Sequence, residues 1–212
     1  MNKSSPGYIL AFIIALSVVF GFGISFVNYA TVDLLKKNEA LHRNRVISSA
    51  FMLSVSGNNA ADYEGAVKKE IRPFSLTARG KTIQGYRHTA TGNLGFVFSG
   101  TGFWDKITGI IVLSPDLSTV KNIHFLDQKE TPGLGARIEE PQFTAQFRGI
   151  QPAWDRPETE RIIIGASPDP GAKNRVDAIT GATQTSIALM QALNRELAAF
   201  KKAYSQRESN TP

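Results

Sequence analysis

From Tyr8 to Ala30 the chain is almost continuously apolar (YILAFIIALSVVFGFGISFVNYA), and no charged side chain occurs between Lys3 and Asp33. A run of ~20 such residues matches a hydrocarbon core roughly 30 Å thick, so residues 1–30 read as a transmembrane anchor in contact with membrane lipid. Tyr8 and Tyr29 stand near its two ends, where amphipathic rings favour the headgroup region, and Gly21 and Gly23 are tolerated in such helices. A cleaved signal peptide is the alternative reading; its apolar core would be long, and no convincing Ala-x-Ala site follows. Beyond the anchor, Val32, Leu34, Leu35, Leu41, Val46 and Phe51 recur among charged residues. That spacing predicts a helix over Thr31–Leu53, and the polar run Asn58–Lys69 predicts a shorter one after a turn. Residues 31–80 are thus expected to form a helical stalk and lead-in segment.

From Thr82 the pattern changes period. Glycine-punctuated segments at Gln84–Thr89, Leu94–Ser99, Ile107–Leu113 and Val120–Phe125 predict strands. The last two flank Ser114-Pro115-Asp116-Leu117-Ser118, a hairpin connection by its turn residues. Pro141–Gly149 reads as a short helix and Arg161–Ile164 as another strand. In Gln184–Tyr204, Ile187, Met190, Leu193, Leu197 and Phe200 form an apolar stripe, while Gln191, Arg195, Lys201 and Lys202 lie off it, which predicts a helix packed on a sheet. Residues 81–204 are therefore expected to be one domain, with 205–212 a frayed tail.

Composition narrows the chemistry. Hydrophobic residues make up 42% and charged residues 20% of 212 residues, which fits a folded domain and excludes a disordered or collagen-like chain. The absence of cysteine removes disulfides, thiolate nucleophiles, Cys-ligated zinc, iron–sulfur clusters and c-type haem together. Any redox chemistry must use a cofactor that needs no thiolate. The net charge of +6 comes from scattered basic residues, so it is weak support for anionic partners and gives no nucleic-acid signature. There is no GxGxxG, Walker-type loop or HExxH, and His42, His88 and His124 are too isolated in sequence to suggest a metal set. Ser186 follows no nucleophile elbow, so neither a catalytic residue nor a metal site is assigned.

The run Asp177-Ala178-Ile179-Thr180-Gly181-Ala182-Thr183-Gln184-Thr185-Ser186 places four hydroxyls and a glycine at the start of the last helix. Unpaired N–H groups and the positive end of the helix dipole favour an anion there, and small residues let a phosphate approach the backbone. An ordinary helix cap has the same composition, so both readings stay open on physics alone. Lys173 and Arg175 could add charge at such a phosphate or remain solvated loop cations.

Thr180-Gly181-Ala182-Thr183, preceded by Asp177, resembles the [S/T]GAT motif of the FMN-binding domains in the G-type (RnfG) component of the Rnf complex and the C-type (NqrC) component of the sodium-pumping NADH:quinone reductase. Lys129-Glu130-Thr131-Pro132-Gly133-Leu134-Gly135-Ala136 is similar to the family's KETPGLG segment, and Gly100-Thr101-Gly102-Phe103-Trp104 to its glycine-rich loop ending in an aromatic. The three motifs occur in the family's order, and the resemblance runs from the anchor to about Tyr204. It implies an α+β fold: one N-terminal transmembrane helix, then an FMN-binding domain with antiparallel sheet and packed helices. It also implies covalent FMN, joined by a phosphodiester to Thr183 and installed by a flavin transferase that recognises Asp177 and the small residues after it.

In the site so implied, Thr180, Gly181 and Ala182 surround the acceptor, Glu130, Thr131, Gly133, Leu134 and Gly135 form a second wall, and Trp104 packs near the flavin. Pro132 fixes one backbone angle, while Gly133 and Gly135 allow conformations or approaches that a Cβ would block. An ordinary surface turn and a core tryptophan are the competing readings of these two features. The expected function is electron relay within an Rnf-type ion-translocating complex, as one carrier among its subunits rather than an enzyme on its own. Its partners would be the other subunits of that complex, and its place the bacterial inner membrane with the flavin domain outside the cytoplasm. The G type is preferred over the quinone-reductase C type because the chain is short; a membrane-tethered assembly module without flavin is the alternative from another class. The positive-inside rule opposes this orientation, since Lys36, Lys37, Arg43 and Arg45 follow the anchor.

Overall fold

The computed structural model describes residues 5–78, 80–166, 169 and 171–209; Lys3 and tail residues 210–212 lie outside them. Contacts divide the chain into two units, Met1–Leu41 and His42–Pro212. Apart from Ser5, the described part of the first unit belongs to helix α1 (Pro6–Phe51), whose apolar window is long enough to cross a membrane and is unburied by protein. The boundary expected at residue 30 is not a structural break, because no proline occurs between Pro6 and Pro73 to stop the helix.

In the second unit α1 ends in a left-handed residue, Met52 (φ 54°). The Leu53 N–H donates to the Ser48 carbonyl at 2.9 Å and the Met52 N–H to the Ser49 carbonyl at 3.2 Å. These bonds satisfy carbonyls that a helix end leaves unpaired. Helix α2 (Ala60–Glu70) opens with a reciprocal cap in which Asn59 accepts from the Asp62 N–H and Asp62 accepts from the Asn59 N–H.

Five antiparallel strands follow in sequence order: β1 (Ile71–Ala78), β2 (Lys81–His88), β3 (Leu94–Thr101), β4 (Lys106–Leu113) and β5 (Val120–Asp127). The expected hairpin is β4–β5, with register shifts at Thr108/Gly109 and Val112/Leu113. The lead-in expected to residue 80 and the domain expected to start at 81 both need correction, since β1 belongs to the sheet. Pro73 masks the strand signal, and it is tolerated because β1 is an edge strand bonded only to β2.

The sheet is covered on both faces, which explains why β4 reads as nearly continuous apolar sequence. Phe96, Phe98, Ile107, Ile111 and Leu113 join one core with Leu189, Leu193, Leu197 and Phe200 of helix α4 (Thr183–Ser209), including a Phe96–Phe200 stack at 4.2 Å. Ile110 and Val112 join a second core with Val46, Ile47, Ala50 and Phe51 at the end of α1. Both helices approach the sheet over glycine: a Cβ on Gly95 would lie 2.6 Å from the Phe51 ring, and one on Gly100 would collide with the Ala192 Cβ.

Helix α4 starts one residue earlier than expected and runs to Ser209, so residues 205–209 of the expected tail are helical. Its buried face includes Leu189, whereas Ile187, expected in the stripe, is 36% exposed. At ~100° per residue, two i+3 steps drift by about 120°, which turns Ile187 off the face centred on Leu193. Pro141–Gly149 forms a single helical turn, α3 (Pro141–Thr144), then a 3-10 turn at Ala145–Phe147. The strand expected at Arg161–Ile164 is a two-residue ladder, β6 (Ile163–Ile164), parallel to β7 (Arg175–Val176). Two residues are too few for a periodic signal, so β7 is invisible in the sequence.

Candidate functional site

Three chain segments converge at the start of α4. Gly181 takes a left-handed conformation (φ +83°), the Ala182 N–H donates to the Ile179 carbonyl at 3.0 Å, and Thr183 begins the helix. Ser186 reaches back, its Oγ accepting the Ile179 N–H at 3.2 Å, and holds the turn against the helix. Thr183 and Gln184 are exposed between the buried Ala182 and Thr185, so the Thr183 hydroxyl stands on an anchored turn.

The second segment is a tight loop. The N–H groups of Leu134 and Ala136 both donate to the Thr131 carbonyl at 3.1 Å, with Gly133 left-handed (φ +75°) just before Leu134. Leu134 lies over Gly181, where a Cβ would stand 3.3 Å from its Cδ2. The third segment contributes Phe103 and Trp104, paired edge to face at 5.5 Å. Lys129 and Asp105 link the ends of these two loops through an ion pair at 3.3 Å. The Lys106 backbone N–H, and then Lys129, hold the Asp105 carboxyl below its ordinary range.

Between the segments lies an open cleft of about 320 Å³, lined by Phe103, Trp104, Thr131, Leu134, Gly135 and Gly181 through Thr185. One side is apolar and aromatic; the other is a helix start whose first N–H groups have no intrahelical acceptor. That combination suits a planar ring carrying a phosphate: the ring has the aromatic wall, and the negative group has the helix terminus and its hydroxyls.

Seven expected site residues line this cleft: Thr183, Ala182, Gly181, Thr131, Leu134, Gly135 and Trp104. Trp104 is 68% exposed, so the core-burial reading of it fails. Thr180 and Gly133 sit at exposed positions in the flanking turns and do not line it. Asp177 is also outside the cleft: its carboxylate pairs with Arg175 at 2.8 Å and its N–H donates to the Gln146 side chain. Arg175 is engaged by Asp177 and by the Gly165 carbonyl at 2.9 Å, and Lys173 is exposed, so neither lines the cleft as a phosphate ligand would.

Glu130 does not line the cleft either. Its side chain is buried beneath it, with both oxygens engaged by protein donors. Phe103, Gln184 and Thr185 line the cleft without having been singled out. Thr185 stands in the quoted run of hydroxyls, but its spacing from Thr183 does not reveal that it turns inward. Among the described residues no cluster of metal-ligating side chains occurs, and His88 is engaged by Glu70 and Thr91.

The cleft of this antiparallel α+β unit suits an aromatic cofactor that bears a phosphate, and the match to known sequences specifies which one. Residues 102–198, which include every lining residue, match the FMN-binding domain family, and FMN is the cofactor of this unit. The C-type component of the Na(+)-translocating NADH-quinone reductase of Vibrio anguillarum is 26% identical over 87% of this chain and 88% of its own length. Its counterpart from Vibrio vulnificus strain YJ016 is 31% identical over 62% of this chain and 57% of its own length. That from Pasteurella multocida is 38% identical over 42% of this chain and 34% of its own length. The crystal structure of Shewanella oneidensis NqrC covers 84% of this chain with a TM-score of 0.68 at 18% identity, all of that chain being matched. The corresponding structure from Parabacteroides distasonis covers 80% of this chain and 94% of its own, with a TM-score of 0.68 at 22% identity. The expected α+β fold is thus the one observed in these solved structures.

Proposed function

We propose that this protein is a membrane-anchored electron carrier in an ion-translocating oxidoreductase complex, with FMN held through its phosphate on Thr183. The observation that carries the reading is the position of Thr183: an exposed hydroxyl on the first residue of a 27-residue helix, inside the cleft and flanked by Ala182 and Gly181. When bound, FMN supplies one- and two-electron chemistry that no side chain of this cysteine-free protein could. The N–H groups opening α4 stabilise the phosphodiester charge, by about 0.3–1 kcal/mol where exposed. Phe103, Trp104 and Leu134 offer the ring an apolar wall, and the covalent bond prevents dissociation.

Attachment needs an activated donor and a transferase. Thr183 Oγ1 loses its proton and bonds to the flavin-bearing phosphorus of a flavin dinucleotide. The phosphoanhydride bond breaks, and the nucleotide monophosphate leaves with the electron pair.

The relatives named above are C-type components of a sodium-translocating quinone reductase, one of them aligned over most of both chains. This favours the C type over the Rnf G type that the chain's length suggests. The anchor is proposed to lie in a bacterial inner membrane, with the flavin domain outside the cytoplasm.

The test is production with a flavin transferase, followed by in-gel fluorescence after denaturation and intact mass measurement. Wild type should carry one FMN, Thr183→Ala none and Thr183→Ser a partial load. No fluorescence on wild type would favour the assembly-module reading, and fluorescence retained on Thr183→Ala would remove Thr183 as acceptor. Sodium-stimulated NADH:quinone reduction by the co-purified complex supports the C type; ferredoxin:NAD oxidoreduction instead returns the Rnf type.

A further inference from the structure

Glu130 is 4% exposed, deep for a side chain of its type, and its carboxylate makes two bonds. Oε2 accepts from Thr185 Oγ1 at 2.6 Å, and Oε1 accepts from the backbone N–H of Trp104 at 3.0 Å. Its donors lie 55 and 26 residues away in sequence and belong to the other two walls of the cleft. Two glycines make room for it. A Cβ on Gly102 would collide with Glu130 Oε1, and one on Gly135 would lie 2.9 Å from Oε2 and 2.6 Å from Thr185 Oγ1. All three motif segments therefore meet on one buried carboxylate.

We propose that Glu130 is a positioning residue that, through Thr185, holds the first turn of α4 and so fixes Thr183 in register with the Phe103–Trp104 wall. This rests on the reading of Thr183 as the attachment residue. Helix ends fray unless tied, and Thr185 lies within the turn that Thr183 begins. Hydrogen bonds to a carboxylate are the stronger kind, and removing one partner leaves a buried polar atom unsatisfied. The tie therefore acts on the residue to be modified rather than on the ligand, and it explains why an acidic side chain is buried beneath a site for an anion.

The test uses the full chain in detergent with a flavin transferase and FAD, reading the initial rate of covalent FMN incorporation by mass spectrometry. The absorption spectrum and midpoint potential of the loaded protein are read as well. Thr185→Val keeps the volume and deletes the hydroxyl; its rate should fall about tenfold or more, and the loaded fraction should show a changed spectrum and potential. Thr185→Ser keeps the hydroxyl and should recover the rate to within about threefold. Glu130→Leu should reproduce the Thr185→Val defect, and the double variant should be no worse than the poorer single one, since both remove the same bond.

If Glu130→Leu does not fold, the Thr185 pair decides. A wild-type rate and potential for Thr185→Val, or a serine variant as slow as the valine one, overturns the proposal. Thr183→Ala separates the two readings. If it still gains FMN, attachment at Thr183 fails and the tie with it; if it loses FMN while Thr185→Val behaves as wild type, the tie alone fails.

Discussion

Replacing Gly135 and Gly133 separately by alanine tests whether the loop between them is a wall of the cleft, because the structure gives the two glycines different reasons to exist. At Gly135 the backbone is not left-handed, but a Cβ would lie 2.6 Å from Thr185 Oγ1 and 2.9 Å from both Glu130 Cβ and Oε2. Real Cβ atoms do not come so close, so Glu130 or the start of α4 must shift. Overpacking of this kind costs roughly 1–3 kcal/mol, and at ~2–4 °C per kcal/mol for a protein of this size the melting temperature should fall by roughly 2–12 °C. At Gly133 nothing lies within 4 Å of a built Cβ, yet φ is +75°. Alanine there incurs only the left-handed strain of roughly 1–2 kcal/mol and leaves the cleft its shape. Both variants should lose stability in a thermal melt of the full chain in detergent. Gly135→Ala alone should also slow covalent FMN incorporation and alter the flavin spectrum. A Gly135→Ala protein with wild-type loading and spectrum, beside a Gly133→Ala protein with both disturbed, would refute the assignment of Gly135 to the site.

If the flavin domain is extracytoplasmic, a reporter active only outside the cytoplasm should work when fused after Ser209, where α4 ends; activity from a cytoplasmic reporter alone would reverse the orientation in favour of Lys36, Lys37, Arg43 and Arg45. His124 on β5 supplies a pH dependence: burial first, and then the charge of Arg148, hold its pKa below the ordinary 6.5. The unfolded chain therefore binds the proton more readily, so this stabilisation is complete above pH ~6.5 and is lost as pH falls through the lower folded value. Between pH ~7 and ~5 the melting temperature of wild type should drop more steeply than that of His124→Gln, and equal slopes would exclude His124 as the source.

The sequence by itself determined what is carried by local chemistry and period. The apolar run in α1, the β4–β5 hairpin and helix α4 all follow from patterns a few residues long. The turn that opens α4 is legible too, because a glycine and hydroxyls before an amphipathic run have the same physics in any fold. Only the tertiary structure decided which of those residues meet. Edge strand β1 was hidden by Pro73, which a strand tolerates only where one side lacks a partner, and that is a property of the whole sheet. Likewise Asp177, next to the motif in sequence, is drawn off by Arg175, whereas Phe103 and Thr185 close the cleft. Glu130 is beside the cleft in sequence and under it in space, because its oxygens find donors 26 and 55 residues away. Contacts at such separations depend on how α4 and the loops pack around the sheet, and no spacing along the chain encodes them.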